Sequence, residues 1–136
     1  MQPFKVLDHD ADIRLEVYGA SMEKLFENAA RAVFSLIIDP ASIITPSLEK
    51  RIIVTGNGEL LINFLNELLF TWDVDRFIPA SVSVAFGTQD LTATIKGETF
   101  NEDKHSIQLE MKAVTYHKFS IVEENGMLKA TIIIDV

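Results

Sequence analysis

The chain has 136 residues, is 48% hydrophobic, and sets 20 Asp and Glu against 12 Lys and Arg, for a formal charge of −8. That is the size of one ordinary domain with enough apolar material for a core, and its acidic balance speaks against tight binding to a nucleic acid unaided, because a phosphate backbone demands clustered cations. The absence of Cys excludes disulfides and thiolate metal sites. No apolar run reaches membrane-spanning length and no basic, apolar leader opens the sequence, so a cytoplasmic protein without a membrane partner is expected.

An acidic knot comes first, Asp8-His9-Asp10-Ala11-Asp12. In an extended chain its three aspartates point the same way. They read either as a solvated lead-in to a strand or as ligands for a cation. Ile13, Leu15 and Val17 then alternate with Arg14, Glu16 and Tyr18, the pattern of a half-buried strand. Gly19-Ala20-Ser21 breaks it, and the Ser21 hydroxyl suits a helix N-cap. The capping box is incomplete, since Lys24 stands where Glu or Gln would complete it. Met22, Leu25, Phe26, Ala29, Val33, Leu36 and Ile37 follow at helical spacing, and Asp39-Pro40 stops the helix.

Lys50 to Thr55 predicts a second strand, and Gly56-Asn57-Gly58 a turn. Leu61, Phe64, Leu65, Leu68, Leu69 and Trp72 define a second amphipathic helix. Val82, Val84 and Phe86, then Leu91, Ala93 and Ile95, flank Gly87-Thr88-Gln89-Asp90 and predict a hairpin. Residues 99–106 are polar and predict a loop. Ile107, Leu109, Met111 and Ala113 resume strand alternation, and Phe119 and Ile121 continue it beyond Thr115-Tyr116-His117. Asn125-Gly126 is the strongest hairpin signal, because both residues tolerate the positive φ of a type I′ turn. In the last strand Leu128, Ala130, Ile132 and Ile134 form the core face, and Asp135 falls on the other. The expected fold is α+β: a single compact domain over 1–136, with two amphipathic helices packed on a mostly antiparallel sheet of roughly seven or eight strands. The recurrence of strand, helix and strand hints at duplicated strand–helix–strand–strand units.

Little else suggests chemistry. There is no Gly-x-Ser-x-Gly, no phosphate loop and no dinucleotide fingerprint. His105 in its polar loop and His117 in its strand suit general acid–base work only with a positioned partner, and each reads more simply as a hydrogen-bonded side chain. Asp135 is different, because Asp is disfavoured in strands. It is either a frayed end or a residue held by a partner. If the first and last strands are neighbours, Asp12 and Asp135 share one cation, with the Val136 carboxylate as a further ligand. Such an oxygen set suits calcium or magnesium, and the lack of Cys and scarcity of His argue against zinc.

Several segments together resemble the archease family. Asp8-His9-Asp10-Ala11-Asp12 resembles its His-Thr-Ala-Asp opening, residues 19–30 (GASMEKLFENAA) its first-helix signature, and residues 60–70 (LLINFLNELLF) its second helix. Gly97-Glu98, Lys104-His105, Lys112 to His117 and the strand ending Asp135-Val136 follow in order. Asp10 departs from the family's Thr, adding a negative charge, and Met127-Leu128 stands where a Trp often follows the turn. The resemblance implies a compact α+β domain and a calcium (or other divalent cation) site at Asp12, Asp135 and Val136. It also implies a non-enzymatic protein cofactor that promotes guanylylation and multiple turnover of the GTP-dependent tRNA-splicing RNA ligase. Two alternatives stand beside it. One is a chaperone or adaptor for another RNA-modifying enzyme such as a tRNA methyltransferase. The other is a small metal-dependent hydrolase with His9 as its base.

Overall fold

The computed structural model describes residues 3–8, 12–55 and 59–136. In chain order its elements are β1 (Phe4–Asp8), β2 (Asp12–Gly19), α1 (Met22–Ile37), β3 (Leu48–Thr55), α2 (Leu60–Asp75), β4 (Phe77–Phe86), β5 (Asp90–Thr99), β6 (Ala113–Glu124) and β7 (Met127–Asp135). The strands form two antiparallel sheets rather than one. The four-stranded sheet has the order β1-β2-β7-β6 and the three-stranded sheet the order β3-β5-β4. Each helix packs on a strand of both sheets, α1 on β2 and β4, α2 on β6 and β3. One core therefore unites the elements, with Trp72, Phe64, Phe77, Leu15 and Leu25 among its largest side chains. Strand, helix and strand recur as β2–α1–β3 and β3–α2–β4, two units that share β3.

Helix α1 starts where Ser21 Oγ accepts the Lys24 N–H at 3.2 Å. A cap of this kind stabilises a helix by about 1 kcal/mol. Its buried residues recur at three- and four-residue spacing and bring a face of Leu25, Phe26, Ala29, Val33 and Ile37 into the core. Helix α2 ends at Arg76, whose φ of 52° is left-handed and whose N–H closes on the Trp72 carbonyl at 2.9 Å. The Arg76 guanidinium then lies 4.4 Å from the Trp72 ring centroid, a cation–π contact that covers the indole.

The two predicted hairpins form. Gly87 N–H bonds the Asp90 carbonyl at 2.9 Å in the first. In the second, Asn125 (φ 54°) and Gly126 (φ 80°) both take positive φ, as a type I′ turn demands. Strand β1 is an element the alternation did not reveal; it pairs antiparallel with β2, Asp8 facing Ile13. Residues 9–11 of the acidic knot lie outside the described residues. Residues 107–112 also depart from expectation. They carry only a bridge from Ile107 to Ile38, and β6 begins at Ala113. Their alternation reflects Met111 packing on the core without a strand partner. The predicted turn at residues 56–58 lies outside the described residues.

Candidate metal centre

The site is built by strand register. β2 and β7 are neighbours, and their pairing sets Asp12 directly opposite Asp135. β6 flanks Asp135 on the other side with Ala113, a side chain too small to cover it. Directly opposed residues project from the same face with Cβ atoms about 4.5–5.5 Å apart. Along β7, Ala130, Ile132 and Ile134 join the core beneath the helices. Asp135 belongs to the alternate set and is exposed on the outer face, while Asp12 is half-buried.

The backbone around Asp135 is fixed. Its carbonyl accepts the Lys112 N–H at 2.9 Å. The Val136 side chain packs against the core, which anchors this residue beside Asp135. Arg14, two residues from Asp12 on the same outer face, stands opposite Ile133. Its Nε is shielded from solvent and has no hydrogen-bond partner among the described residues.

Strand pairing thus brings together two of the three residues expected to hold a cation and leaves the third adjacent to one of them. The donor set is all oxygen and anionic, which fits a hard cation such as calcium and lacks the nitrogen and sulfur donors zinc favours. Among the described residues no group of three or more Asp, Glu, His or Cys side chains joins to make a richer site. His9, the base expected for a hydrolytic site, and Asp10 lie outside the described residues.

A second polar cluster escaped the sequence reading as a unit. Glu98, near the end of β5, accepts from Lys104 Nζ at 2.8 and 3.0 Å, from the Thr45 N–H at 2.6 Å and from His105 Nε2 at 3.1 Å. Hydrogen bonds from Lys104 and the Thr45 amide hold its carboxyl down at about 2. His105 is buried, and its Nδ1 accepts the Asn101 N–H at 3.0 Å. With one ring nitrogen accepting and the other donating, neither faces a substrate. The cluster ties two loops to the end of β5 and does not resemble an acid–base site. The hint was present in the spacing of Gly97-Glu98 and Lys104-His105, but Thr45 is remote in sequence. His117 is exposed on β6, where the register with β7 shifts between Thr115 and Ser120.

A groove of about 740 Å³ lies between α1, β4 and residues 38–44, lined mainly by apolar groups such as Phe4, Phe34, Ile44 and Val82. Neither Asp12 nor Asp135, the acidic row across the ends of β2 and β7, contributes to it.

A model of the archease protein family matches residues 4–136. The chain is 35% identical over 142 residues to the protein archease of Methanothermobacter thermautotrophicus, covering 100% of both. It is 31% identical over 140 residues to that of Methanosarcina mazei, spanning 98% of this chain and 95% of that protein. The solution structure of Methanobacterium thermoautotrophicum protein 1598 superposes with a TM-score of 0.84 at 34% identity, covering 100% of each chain. A crystal structure from Thermotoga maritima, described as an archease and possible chaperone, shares the fold with a TM-score of 0.68 at 21% identity, over 97% of this chain and 96% of that one. The chain belongs to the archease family. No helix among the described residues is long and apolar enough to cross a membrane.

Proposed function

We propose that this protein is an accessory factor of the GTP-dependent tRNA-splicing RNA ligase, promoting its guanylylation and repeated turnover without catalysing a reaction itself. The observation that carries the reading is the pairing of Asp12 with Asp135, in which the two aspartates that the family resemblance implicates face each other across the ends of β2 and β7. Asp12, Asp135 and the Val136 carboxylate would hold a calcium ion, which supplies a concentrated positive charge to ligands that complete its coordination. The chain's own contribution is to fix the acids: β7 aims Asp135 outward, β2 sets Asp12 beside it, and the core holds Val136. The charge of −8 suits docking on a protein that presents a basic surface to RNA, and the same charge argues against tight RNA binding by this chain alone.

The test is reconstitution with the ligase and labelled GTP. Guanylylated ligase and product per ligase should both rise when this chain is added, and no covalent nucleotide should appear on the chain. A ligase indifferent to the protein, or a stable guanylate adduct on one of its own residues, would overturn the reading. The description of the Thermotoga structure as a possible chaperone favours a second reading, in which the protein supports another RNA-modifying enzyme such as a tRNA methyltransferase. Mass spectrometry of co-purifying proteins separates the two.

A further inference from the structure

Helix α2 is not amphipathic in the ordinary sense. Leu61, Phe64, Leu65, Leu68 and Trp72 face the core, yet Phe70 and Val74, one turn apart, are 62% and 63% exposed. The chain has nine phenylalanines; eight are buried or half-buried and Phe70 alone is exposed. Asn63, Glu67, Phe70 and Val74 follow one another at i, i+4, i+7 and i+11, which places them on one stripe. Tyr116 of β6 extends the stripe, 56% exposed and hydrogen-bonded through its hydroxyl to Asn63 Oδ1 at 2.6 Å.

The charge carried by the helix itself has one sign. Residues 60–75 contain Glu67, Asp73 and Asp75 and no Lys or Arg. Asp75 is engaged by Lys50 at 2.8 Å, whereas Glu67 and Asp73 are exposed beside Phe70. The stripe is also coupled to the acidic row. Asn66, one turn before Phe70, hydrogen-bonds Val114, and Val114 pairs with Ile134, the neighbour of Asp135.

We infer that the α2 stripe, centred on Phe70 and Val74 with Tyr116 at its end, is the surface on which the protein partner docks. The partner it fits presents an apolar pocket for the Phe70 ring, rimmed by Lys or Arg that face Glu67 and Asp73. Aromatic anchors in the centre and charge at the rim are the anatomy of a protein interface, and recognition along one helix face uses this spacing of anchors. The inference rests on the accessory reading above, and it explains how a partner would be held with the acidic row alongside.

The experiment measures ligase binding by titration calorimetry for the parent, the double variant F70A/V74A and the charge-reversed E67K/D73K. Circular dichroism and the calcium-induced shift in melting temperature report that fold and metal centre are intact. Ile53, 63% exposed on β3, supplies the control I53A. Both double variants should lose at least 10-fold in affinity, with I53A and the calcium shift unchanged. The loss in E67K/D73K should shrink as salt rises, because rim charges are screened. A parent that binds the ligase while F70A/V74A binds equally well overturns the stripe and leaves the accessory reading standing. A parent that does not bind the ligase overturns both. Sedimentation showing a parent dimer that F70A/V74A dissociates would assign the stripe to a second copy of this chain and overturn the inference.

Discussion

Asn66 holds Val114 by both of its main-chain polar groups: Nδ2 donates to the Val114 carbonyl and Oδ1 accepts the Val114 N–H, each at 2.9 Å. A side-chain amide here takes the place of a neighbouring strand. β6 is an edge strand, and its start, which pairs with the end of β7 beside Asp135, is sealed by a helix side chain. This blunts an edge that would otherwise offer donors and acceptors to another chain.

Asn66→Ala should cost roughly 2–3 kcal/mol, because it removes two hydrogen bonds and leaves two half-buried main-chain groups to find water. Urea unfolding checks the loss, and amide exchange should accelerate at Val114. A change below about 0.5 kcal/mol would mean that water substitutes fully for the amide.

Calcium should raise the melting temperature. At one hundred times its dissociation constant a ligand adds about 2.7 kcal/mol, which for a domain of this size is a rise of roughly 5–10 °C. Asp12→Ala, Asp135→Ala and removal of Val136 should each abolish the rise without unfolding the protein, since Asp135 is exposed and Asp12 opens its strand. Differential scanning fluorimetry with and without chelator decides it. An undiminished rise in Asp135→Ala would reduce that residue to a strand end.

Glu98 gives a signed pH dependence. Its folded pKa is depressed from 4.5 to about 2, so its contribution to stability is complete above the ordinary value and is lost as pH falls through 4.5 towards 2. Glu98→Gln should therefore be less stable than the parent at pH 7, and the gap should narrow steadily below pH 4.5. Parallel denaturation curves from pH 7 to pH 2.5 read this directly; a gap that stays constant across the range would show that the carboxylate charge is not what matters.

Gly97 cannot carry a side chain. A Cβ there would drive into the Ile78 carbonyl and lie 3.0 Å from Pro79 Cα, where the β4–β5 register shifts between Pro79 and Ser81. Both obstacles are backbone and neither can rotate away. Gly97→Ala should cost at least about 2 kcal/mol. Comparison with Gly126→Ala separates contact from conformation: that position is open, and the cost there is the strain of positive φ, about 1 kcal/mol.

Local chemistry was legible where it sufficed. The Ser21 cap, the Asn125-Gly126 turn and the core face of β7 needed only neighbouring residues. Partner choice was not legible, because a period of two records burial and not which strand lies alongside. One sheet was expected where two formed, and β1, only five residues long, offered no alternation to read. Residues 107–111 show the converse, with alternation and no ladder. In the candidate site, Asp135 stood out as an acid in an isoleucine-rich strand, but its position opposite Asp12 depended on β2 lying beside β7. Asn66 and Thr45 were invisible, since their partners lie 48 and 53 positions away in sequence.

The pairing of β2 with β7 also makes this a protein that finishes late. After Gly19 the chain builds both helices and four further strands before Met127 begins the strand that β2 requires. During synthesis β2 has β1 on one side and an open edge on the other. Closing so distant a pair is slow, because loop entropy must be lost before any contact forms. The two acids meet only when that last closure is made. Affinity for the proposed cation would then be an all-or-none report on completed folding, absent from a chain stalled before β7 and acquired in the step that closes the open edge of β2.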